Sequence, residues 1–388
     1  MTRRGRAVLA LGVAVYAVAW IFGSKALYPV AAGLVLAALL AYGWVRLSAR
    51  PPVVRRNGGG REVLEGEDVR IDLEVETRSS VAPPTLVAVE RAGRLGERTV
   101  ELRREARHRF AGGYDLRAVR RGRYAYDTVR LTIEDPFGLA RAQLEKGEPE
   151  ALVVYPRLVE LESLFSEGGA HAQDGRRLLL RRPTGFELHS VREMVEGDSL
   201  RAVHWPSTAR RGQLMVKELE DAPRDEVVVL LDAHAAAIGG EAFEVAVRAA
   251  GSILRTHVRR GRRCALVVNS AGRPVQAVGS EGDWHRALEV LATVEADGRT
   301  PVHALLQAEG GIAARSLELV VVTARVDVPL ADRLVQRALS RRGTSVVHVG
   351  DAVAPQLLRL QTVGIPVAVV REGGDLAATL TARDAQVA

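Results

Sequence analysis

The chain contains almost no cysteine. Cys264 is the single cysteine among 388 residues, which excludes an intramolecular disulfide and any metal site built from a cysteine cluster. It lies in the apolar run RRCALVVN, for which the pattern predicts a buried strand. A single buried thiol agrees with a reducing compartment.

Lysine is also scarce, since only three of the 54 basic residues are lysines. The net charge of +7 is therefore carried by arginine, and it is spread along the chain without a long basic run. A GC-rich genome explains arginine dominance without any specific recognition by guanidinium groups. Nucleic-acid binding is not expected, although weak binding of nucleic acid or of an acidic ligand stays an alternative.

Catalytic signatures are missing as well. The sequence has no serine or cysteine in a recognisable nucleophile elbow, no His-x-x-x-His spacing, and no glycine-rich phosphate loop. These patterns carry the chemistry of hydrolases, zinc enzymes and nucleotide-binding proteins. We therefore expect a protein that is not an enzyme and that holds no cofactor.

The first fifty residues contain two uncharged apolar segments, 7–24 and 26–45, separated only by Lys25. Each is close to the ~20 residues that a helix needs to cross a bilayer. A signal peptide is the alternative, but no small-x-small cleavage site precedes Lys25 and a second apolar segment follows at once. Residues 1–50 are thus predicted to form a transmembrane hairpin that contacts lipid through residues 7–45.

Arginines flank this hairpin on both sides, at positions 3, 4 and 6 before it and at 46, 50, 55 and 56 after it. Positive charge stays on the cytoplasmic side of a membrane. We expect a multi-pass protein of the inner or plasma membrane whose soluble domains face the cytoplasm.

Residues 60–155, which follow the predicted linker PPVVRRNGGG, alternate apolar and polar side chains. Val69, Ile71, Leu73 and Val75 form one apolar face, the pattern of a half-buried strand. Similar runs occupy 85–90, 98–102, 114–119, 123–133 and 150–154. Short strands at this spacing predict an antiparallel β-sandwich of immunoglobulin-like size, with an interaction or packing role.

The C-terminal segment, residues 224–388, alternates apolar strands with amphipathic helices. Strands are predicted at 226–231, 263–269, 317–323, 344–349 and 366–370, and helices at 241–258, 282–295, 329–341 and 352–361. Strands that are apolar throughout indicate a parallel, doubly wound sheet covered on both faces. Ligands of such sheets bind beyond the carboxyl ends of the strands, where Asp232, Asn269, Thr323 and Gly350 lie.

Residues 183–218 combine charged, aromatic and histidine side chains more densely than the rest of the chain. The candidate site residues in this signature segment are Glu187, Arg192, Glu193, Gly197, Asp198, Arg201, His204, Trp205, Arg210, Lys217 and Glu218. In one interpretation they form a charged clasp between the two soluble domains, with Trp205 buried at the interface. In a second they form an exposed surface for a partner or ligand. In a third, Glu187, Glu193 and Asp198 act as acid and base in catalysis.

A longer pattern connects this segment to the turn EDPFGLAR at 134–141, whose Phe137 and Leu139 are predicted to fill an apolar site. The pattern continues with G-x-E at Gly185 and with R-E-x-x-x-G-D-x-x-R-x-x-x-W-x-x-x-A-R from Arg192 to Arg210. It resembles the bacterial proteins grouped as domain of unknown function family 58. The resemblance implies a membrane-anchored protein with a von Willebrand factor A-like domain and, as its partner, an AAA+ ATPase of the MoxR type.

The resemblance also implies a place for a divalent metal, because von Willebrand A domains often bind one through Asp-x-Ser-x-Ser after the first strand. Here the loop reads Asp232-Ala233-His234-Ala235-Ala236, so His234 and Ala236 replace both serines. Thr323 is followed by Arg325, where an acidic residue would be expected. Hard cations prefer several oxygen ligands, and we therefore expect no metal at this degenerate loop.

Overall fold

The computed structural model describes residues 1–57, 63–79, 81, 83, 85–117, 119–126, 128–147, 149–166, 188–194, 203–219, 227–279, 281–307, 311–350 and 355–381. The chain divides into two compact units, Met1–Tyr155 and Pro156–Ala388. The first is called the β unit and the second the α/β unit.

The β unit begins with two helices, α1 (Arg3–Phe22) and α2 (Leu27–Ser48), which confirm the predicted apolar pair. Both are long and apolar enough to cross a membrane. Thr2 caps the start of α1 by accepting a hydrogen bond from the Gly5 amide at 3.0 Å. Large apolar side chains such as Trp20 and Phe22 are 73% and 77% exposed. The helices thus present an apolar surface that the described part of the chain does not cover.

The outer ends of both helices are hydrogen-bonded to loops of the β unit. The Thr2 hydroxyl donates to the Gly138 carbonyl at 2.7 Å, and the Thr2 amide donates to the Leu139 carbonyl at 3.0 Å. At the end of α2, the Ser79 hydroxyl donates to the Leu47 carbonyl at 2.7 Å. The two helix ends are therefore held on the same β structure, as a hairpin requires.

The strands of the β unit form two sheets. They are β1 (Val53–Asn57), β2 (Val63–Leu64), β3 (Val69–Glu76), β4 (Thr85–Arg91), β5 (Glu97–Arg104), β6 (Arg109–Leu116), β7 (Gly122–Tyr126), β8 (Val129–Glu134), β9 (Arg141–Lys146) and β10 (Glu150–Tyr155). Seven strands form an antiparallel sheet in the order β1-β3-β6-β5-β4-β8-β9. The other three follow the order β2-β10-β7, in which β2 and β10 are parallel.

Three details of this unit differ from the sequence prediction. Part of the expected linker is the edge strand β1, which pairs with β3. The single strand predicted at 123–133 is divided into β7 and β8, which belong to different sheets. A period of two is the same in either sheet, so the pattern does not reveal the crossing. Phe137 is 78% exposed, and only Leu139, at 8%, is buried as predicted.

The α/β unit contains the remaining elements. The strands are β11 (Leu188–Glu193), β12 (Met215–Leu219), β13 (Val227–Leu231), β14 (Cys264–Val268), β15 (Val275–Val278), β16 (Glu318–Thr323), β17 (Gly343–Val349) and β18 (Val367–Val370). The helices are α3 (Trp205–Arg211), α4 (Gly240–Arg259), α5 (Glu281–Thr293), α6 (Val302–Gln307), α7 (Ile312–Arg315), α8 (Val328–Leu339), α9 (Pro355–Thr362) and α10 (Leu376–Thr381).

Six of these strands form the central sheet in the order β15-β14-β13-β16-β17-β18. All neighbours are parallel except β14 and β15. Val227, Val229 and Leu231 pack in the core on one face of the sheet, which includes residues of α4, α5 and α10. Val228 and Leu230 pack in the core on the opposite face, with residues of α6, α7, α8 and α9. The predicted doubly wound sheet is therefore present, and its central strand is buried on both faces.

Candidate functional site

The described part of the signature segment is a two-stranded ribbon with a short helix. Strands β11 and β12 pair antiparallel, with Arg192 opposite Val216. The Met194 amide donates to the Leu214 carbonyl at 2.8 Å, and the His204 amide donates to the Met215 carbonyl at 2.7 Å. Backbone hydrogen bonds thus fix the start of α3 beside the start of β12.

Local sequence determines the limits of α3. The Ser207 amide donates to Nδ1 of His204 at 3.3 Å, so His204 caps the first turn. Pro206 occupies the first turn, where its missing amide hydrogen is not needed. Gly212 ends the helix with a φ of 70°, a left-handed conformation that glycine adopts without strain. The role of His204 as a helix cap was not predicted, because histidine is not a usual capping residue.

The ring of Trp205 lies at the first position of this helix and is 65% exposed. Arg210 and Arg211, in the last turn, are exposed as well. Among the described residues of the segment, the buried side chains are instead Val203 and Met215, at 4% and 1% exposure. The described part of the chain therefore does not bury Trp205 as the clasp interpretation expects.

Several candidate residues are not placed by this structure. Glu187, Gly197, Asp198 and Arg201 lie outside the described residues, as do the side chains of Arg192, Lys217 and Glu218. Glu193 is exposed at the end of β11. The charge network and the acid–base group of Glu187, Glu193 and Asp198 accordingly stay predictions.

At the carboxyl edge of the central sheet, three predicted residues meet. Asp232 follows β13, Asn269 follows β14 and Thr323 ends β16, and all three are at most 2% exposed. Asn269 donates through Nδ2 to Oδ1 of Asp232 at 2.8 Å. The Thr323 hydroxyl donates to Oδ2 of Asp232 at 2.6 Å. Parallel strands bring these side chains together because their carboxyl ends share one edge.

Both carboxylate oxygens of Asp232 are already hydrogen-bonded to the chain. Oδ1 also accepts the His234 amide at 3.0 Å, and the Arg325 amide donates to the Thr323 hydroxyl at 3.0 Å. Among the described residues, no group of three or more histidine, cysteine or acidic side chains is placed to hold a metal ion. The donor set fits a structural hydrogen-bond network better than a hard-cation site. Absence of a bound metal at this loop stays a prediction.

Sequence reasoning missed a buried polar cluster in the β unit. Arg56 on β1 and Glu90 on β4 form an ion pair with side chains only 4% and 0% exposed. Tyr114 donates its hydroxyl to Glu90 at 2.5 Å, and the ring of Tyr126 lies 4.7 Å from the Arg56 guanidinium carbon. The alternation of β4 could have revealed that Glu90 is buried, because it places this side chain on the same face as the buried Leu86 and Ala88.

Comparison with known proteins gives a family match. Residues 190–365 match the family described as protein of unknown function DUF58. The uncharacterized protein YeaD of Bacillus subtilis strain 168 is 29% identical over 223 residues, which are 55% of this chain and 53% of that protein. The chain thus spans about half the length of this curated relative.

Two solved structures show weaker likenesses. A von Willebrand factor type A protein from Catenulispora acidiphila is 16% identical over 42% of this chain and 41% of its own, with a TM-score of 0.28. A CARDB domain from Pyrococcus furiosus is 13% identical over 27% of this chain and 87% of its own, with a TM-score of 0.19. Likenesses at these scores do not determine a function. The sequence match, in contrast, confirms the resemblance to the DUF58 family over residues 190–365.

Proposed function

We propose that the chain is a membrane-anchored interaction protein whose signature segment binds a partner protein. The observation that carries this proposal is the exposed ring of Trp205 on a helix that also exposes Arg210 and Arg211. Tryptophan and arginine are the residues most enriched among those that dominate binding energy at protein interfaces. The partner surface that fits them is apolar where the ring docks and acidic around it.

Helices α1 and α2 provide the anchor in this proposal. Their apolar side chains are exposed, and their outer ends are hydrogen-bonded to loops of the same unit. Arg3, Arg4 and Arg6 lie at that end of α1, the position that favours the cytoplasmic side. The protein is then a multi-pass protein of the inner or plasma membrane with both soluble units in the cytoplasm.

The two soluble units complete the proposal. We take the α/β unit as von Willebrand factor A-like, since its sheet follows the order third, second, first, fourth, fifth and sixth strand with an antiparallel edge strand. The two-sheet β unit is taken as an immunoglobulin-like module. For the partner we propose an AAA+ ATPase of the MoxR type, as the family resemblance implies.

The test is co-purification of a MoxR-type ATPase with the full-length chain from detergent-solubilised membranes. We expect the ATPase to be enriched with the wild-type chain and to be reduced about tenfold or more with Trp205→Ala or Arg210→Ala, because losing such a side chain at an interface centre costs about 2 kcal/mol or more. Leu358→Ala and Arg286→Ala remove exposed side chains of the same unit and should leave the enrichment unchanged.

The binding surface, the identity of the partner and the membrane topology are tested separately. Equal enrichment with wild-type chain and both signature variants would place the partner elsewhere on the molecule. No enrichment over a detergent control would remove the ATPase as the partner. A reporter fused to the C-terminus should be active only in the cytoplasm, and activity on the outer side would overturn the proposed topology.

A further inference from the structure

Arg337 on α8 is a buried cation whose hydrogen-bond partners are all neutral. The residue is only 9% exposed. Its Nη1 donates to the carbonyls of Ala313 and Ala314 at 3.2 Å, and its Nη2 donates to the carbonyl and the hydroxyl of Ser316. These groups orient the guanidinium group, but none of them carries a negative charge that could balance it.

The remaining donor of this side chain has no partner among the described residues. Nε of Arg337 is buried without a hydrogen bond, and no carboxylate among the described residues lies within ion-pair distance of the guanidinium group. Burial and the positive charge of Arg342 lower the pKa of Arg337 to about 10. A buried arginine is normally paired with an acid, as Arg56 is with Glu90. Among the described residues, Arg337 therefore has no counter-charge.

Arg337 lines a cleft of about 280 Å³ together with Arg333 and Arg342. Arg333 and Arg342 are exposed, so their side chains can reach a bound group with little rearrangement. Arg342 is held at the cleft by donating to the Ala314 carbonyl at 2.5 Å, and Arg333 donates to Oε1 of Gln336 at 3.2 Å. Three arginines thus line one small cleft, and no acidic side chain lines it in the described part of the chain.

We propose that this cleft binds the phosphate group of a small molecule, inorganic phosphate included. Phosphate presents several anionic oxygens and more than one negative charge, which suits three guanidinium groups better than a singly charged carboxylate does. The cleft lies just below the ~300–1,000 Å³ of pockets that enclose a drug-sized ligand, so a single small anionic group fits it. None of the described residues that line the cleft belongs to the signature segment.

The test is a titration of the full-length chain in detergent with inorganic phosphate, with ionic strength held constant by sodium chloride. We expect a saturable rise in the melting temperature and a saturable broadening of the phosphorus resonance. Acetate and chloride should produce neither. Arg342→Gln and Arg333→Gln remove exposed arginines and leave Arg337 in place, so they should retain the fold and weaken phosphate binding roughly tenfold.

Arg286→Gln is the matched control, because Arg286 is an exposed arginine on α5 of the same unit. Its phosphate affinity should equal that of the wild-type chain. The proposal is overturned if phosphate gives no saturable effect, if acetate acts equally, or if the cleft variants bind phosphate as tightly as the control does.

Discussion

Arg56 and Glu90 form a buried ion pair that joins β1 to β4, two strands that are not neighbours in the sheet. Nη2 of Arg56 lies 2.5 Å from Oε1 of Glu90. Glu150 on β10 adds a second carboxylate at 3.0 Å from Nη1, so the pair also connects the two sheets. Burial opposes the charge of Arg56, but hydrogen bonds and attraction from Glu90 and Glu150 raise its pKa.

Glu90→Ala should destabilise the β unit by about 3–5 kcal/mol, because it leaves the buried charge of Arg56 without its main partner. Hydrogen exchange of the β-strand amides across a urea series measures the change. Glu134→Ala is the control, since its pair with Arg141 is one-third to one-half exposed and contributes about 0–1 kcal/mol. Equal losses of unfolding free energy in the two variants would show that the buried pair contributes no more stability than an exposed pair does.

The tyrosines beside this pair predict a loss of stability at alkaline pH. Burial, followed by the charge of Glu90, raises the pKa of Tyr126 from 10.0 to about 12. The phenol therefore stabilises the folded state below about pH 10, and this contribution is lost as the pH rises through about 12, because the unfolded state releases its proton first. This contribution of the Tyr126 phenol to the free energy of unfolding is of the order of 3 kcal/mol.

Alkaline unfolding, followed by tyrosinate absorbance and circular dichroism, tests this expectation. Tyr126→Phe should flatten the fall in stability between pH 10 and pH 12. Tyr114, whose pKa is raised by burial and by its hydrogen bond to Glu90, should contribute in the same direction. An unchanged alkaline slope in Tyr126→Phe would show that this phenol titrates normally.

The network at the sheet edge predicts a structural role for Asp232. Asp232→Ala removes the carboxylate acceptor of the buried Asn269 amide and of the Thr323 hydroxyl, which keeps only the Arg325 carbonyl at 3.1 Å. A buried donor left unsatisfied costs about 1–3 kcal/mol. Thermal unfolding should show a large decrease in the melting temperature of this variant. The decrease should be small for Asp332→Ala, because Asp332 is an exposed carboxylate of the same unit. Magnesium or a chelator should leave the wild-type melting temperature unchanged, and a saturable rise with magnesium would establish a metal site.

The apolar strands of the α/β unit could be predicted because burial on both faces makes them uniformly apolar. The same reasoning placed Asp232, Asn269 and Thr323 together, since their strands end at one edge. Strand β15 was missed because it is a short edge strand with largely exposed side chains. Strand β1 was missed because its two arginines resemble a linker, although one of them is buried against Glu90.

The sequence could not predict which side chains that are far apart in the chain contact each other. Arg56 and Glu90 are 34 positions apart in the chain. The alternation within each strand shows which side chains point inward, but it does not show which residue of another strand they meet. The same limit applies to Arg337, whose neighbours come from α7 and from the residues after α8. A helical pattern shows that position 337 faces the core, but it does not show that the described part of the chain places no acidic side chain beside it.

Gly5 in α1 allows that helix to lie close to the turn between β8 and β9. A Cβ added at Gly5 would lie 2.0 Å from the Leu139 carbonyl oxygen, which belongs to the backbone and cannot rotate away. Gly5→Ala should therefore lower the melting temperature of the detergent-solubilised chain and break the hydrogen bonds of Thr2 to Gly138 and Leu139. Gly33→Ala is the matched control, because no atom lies within 4 Å of its added Cβ. Its stability should be unchanged or higher, since alanine favours helix over glycine by about 1 kcal/mol.

The exposure of Trp205 separates the two main interpretations of the signature segment. If the ring is a contact for a partner, Trp205→Ala should change the free energy of unfolding of the isolated chain by less than about 0.5 kcal/mol, as surface substitutions do. If the ring is a buried clasp, the same variant should cost about 3–5 kcal/mol. Met215→Ala in the same segment provides the scale, because Met215 is 1% exposed and its truncation should cost about 2–5 kcal/mol. Chemical unfolding of the wild-type chain and of the two variants distinguishes these cases. If Trp205→Ala lowers the free energy of unfolding as much as Met215→Ala does, the clasp interpretation is supported and the partner contact is not.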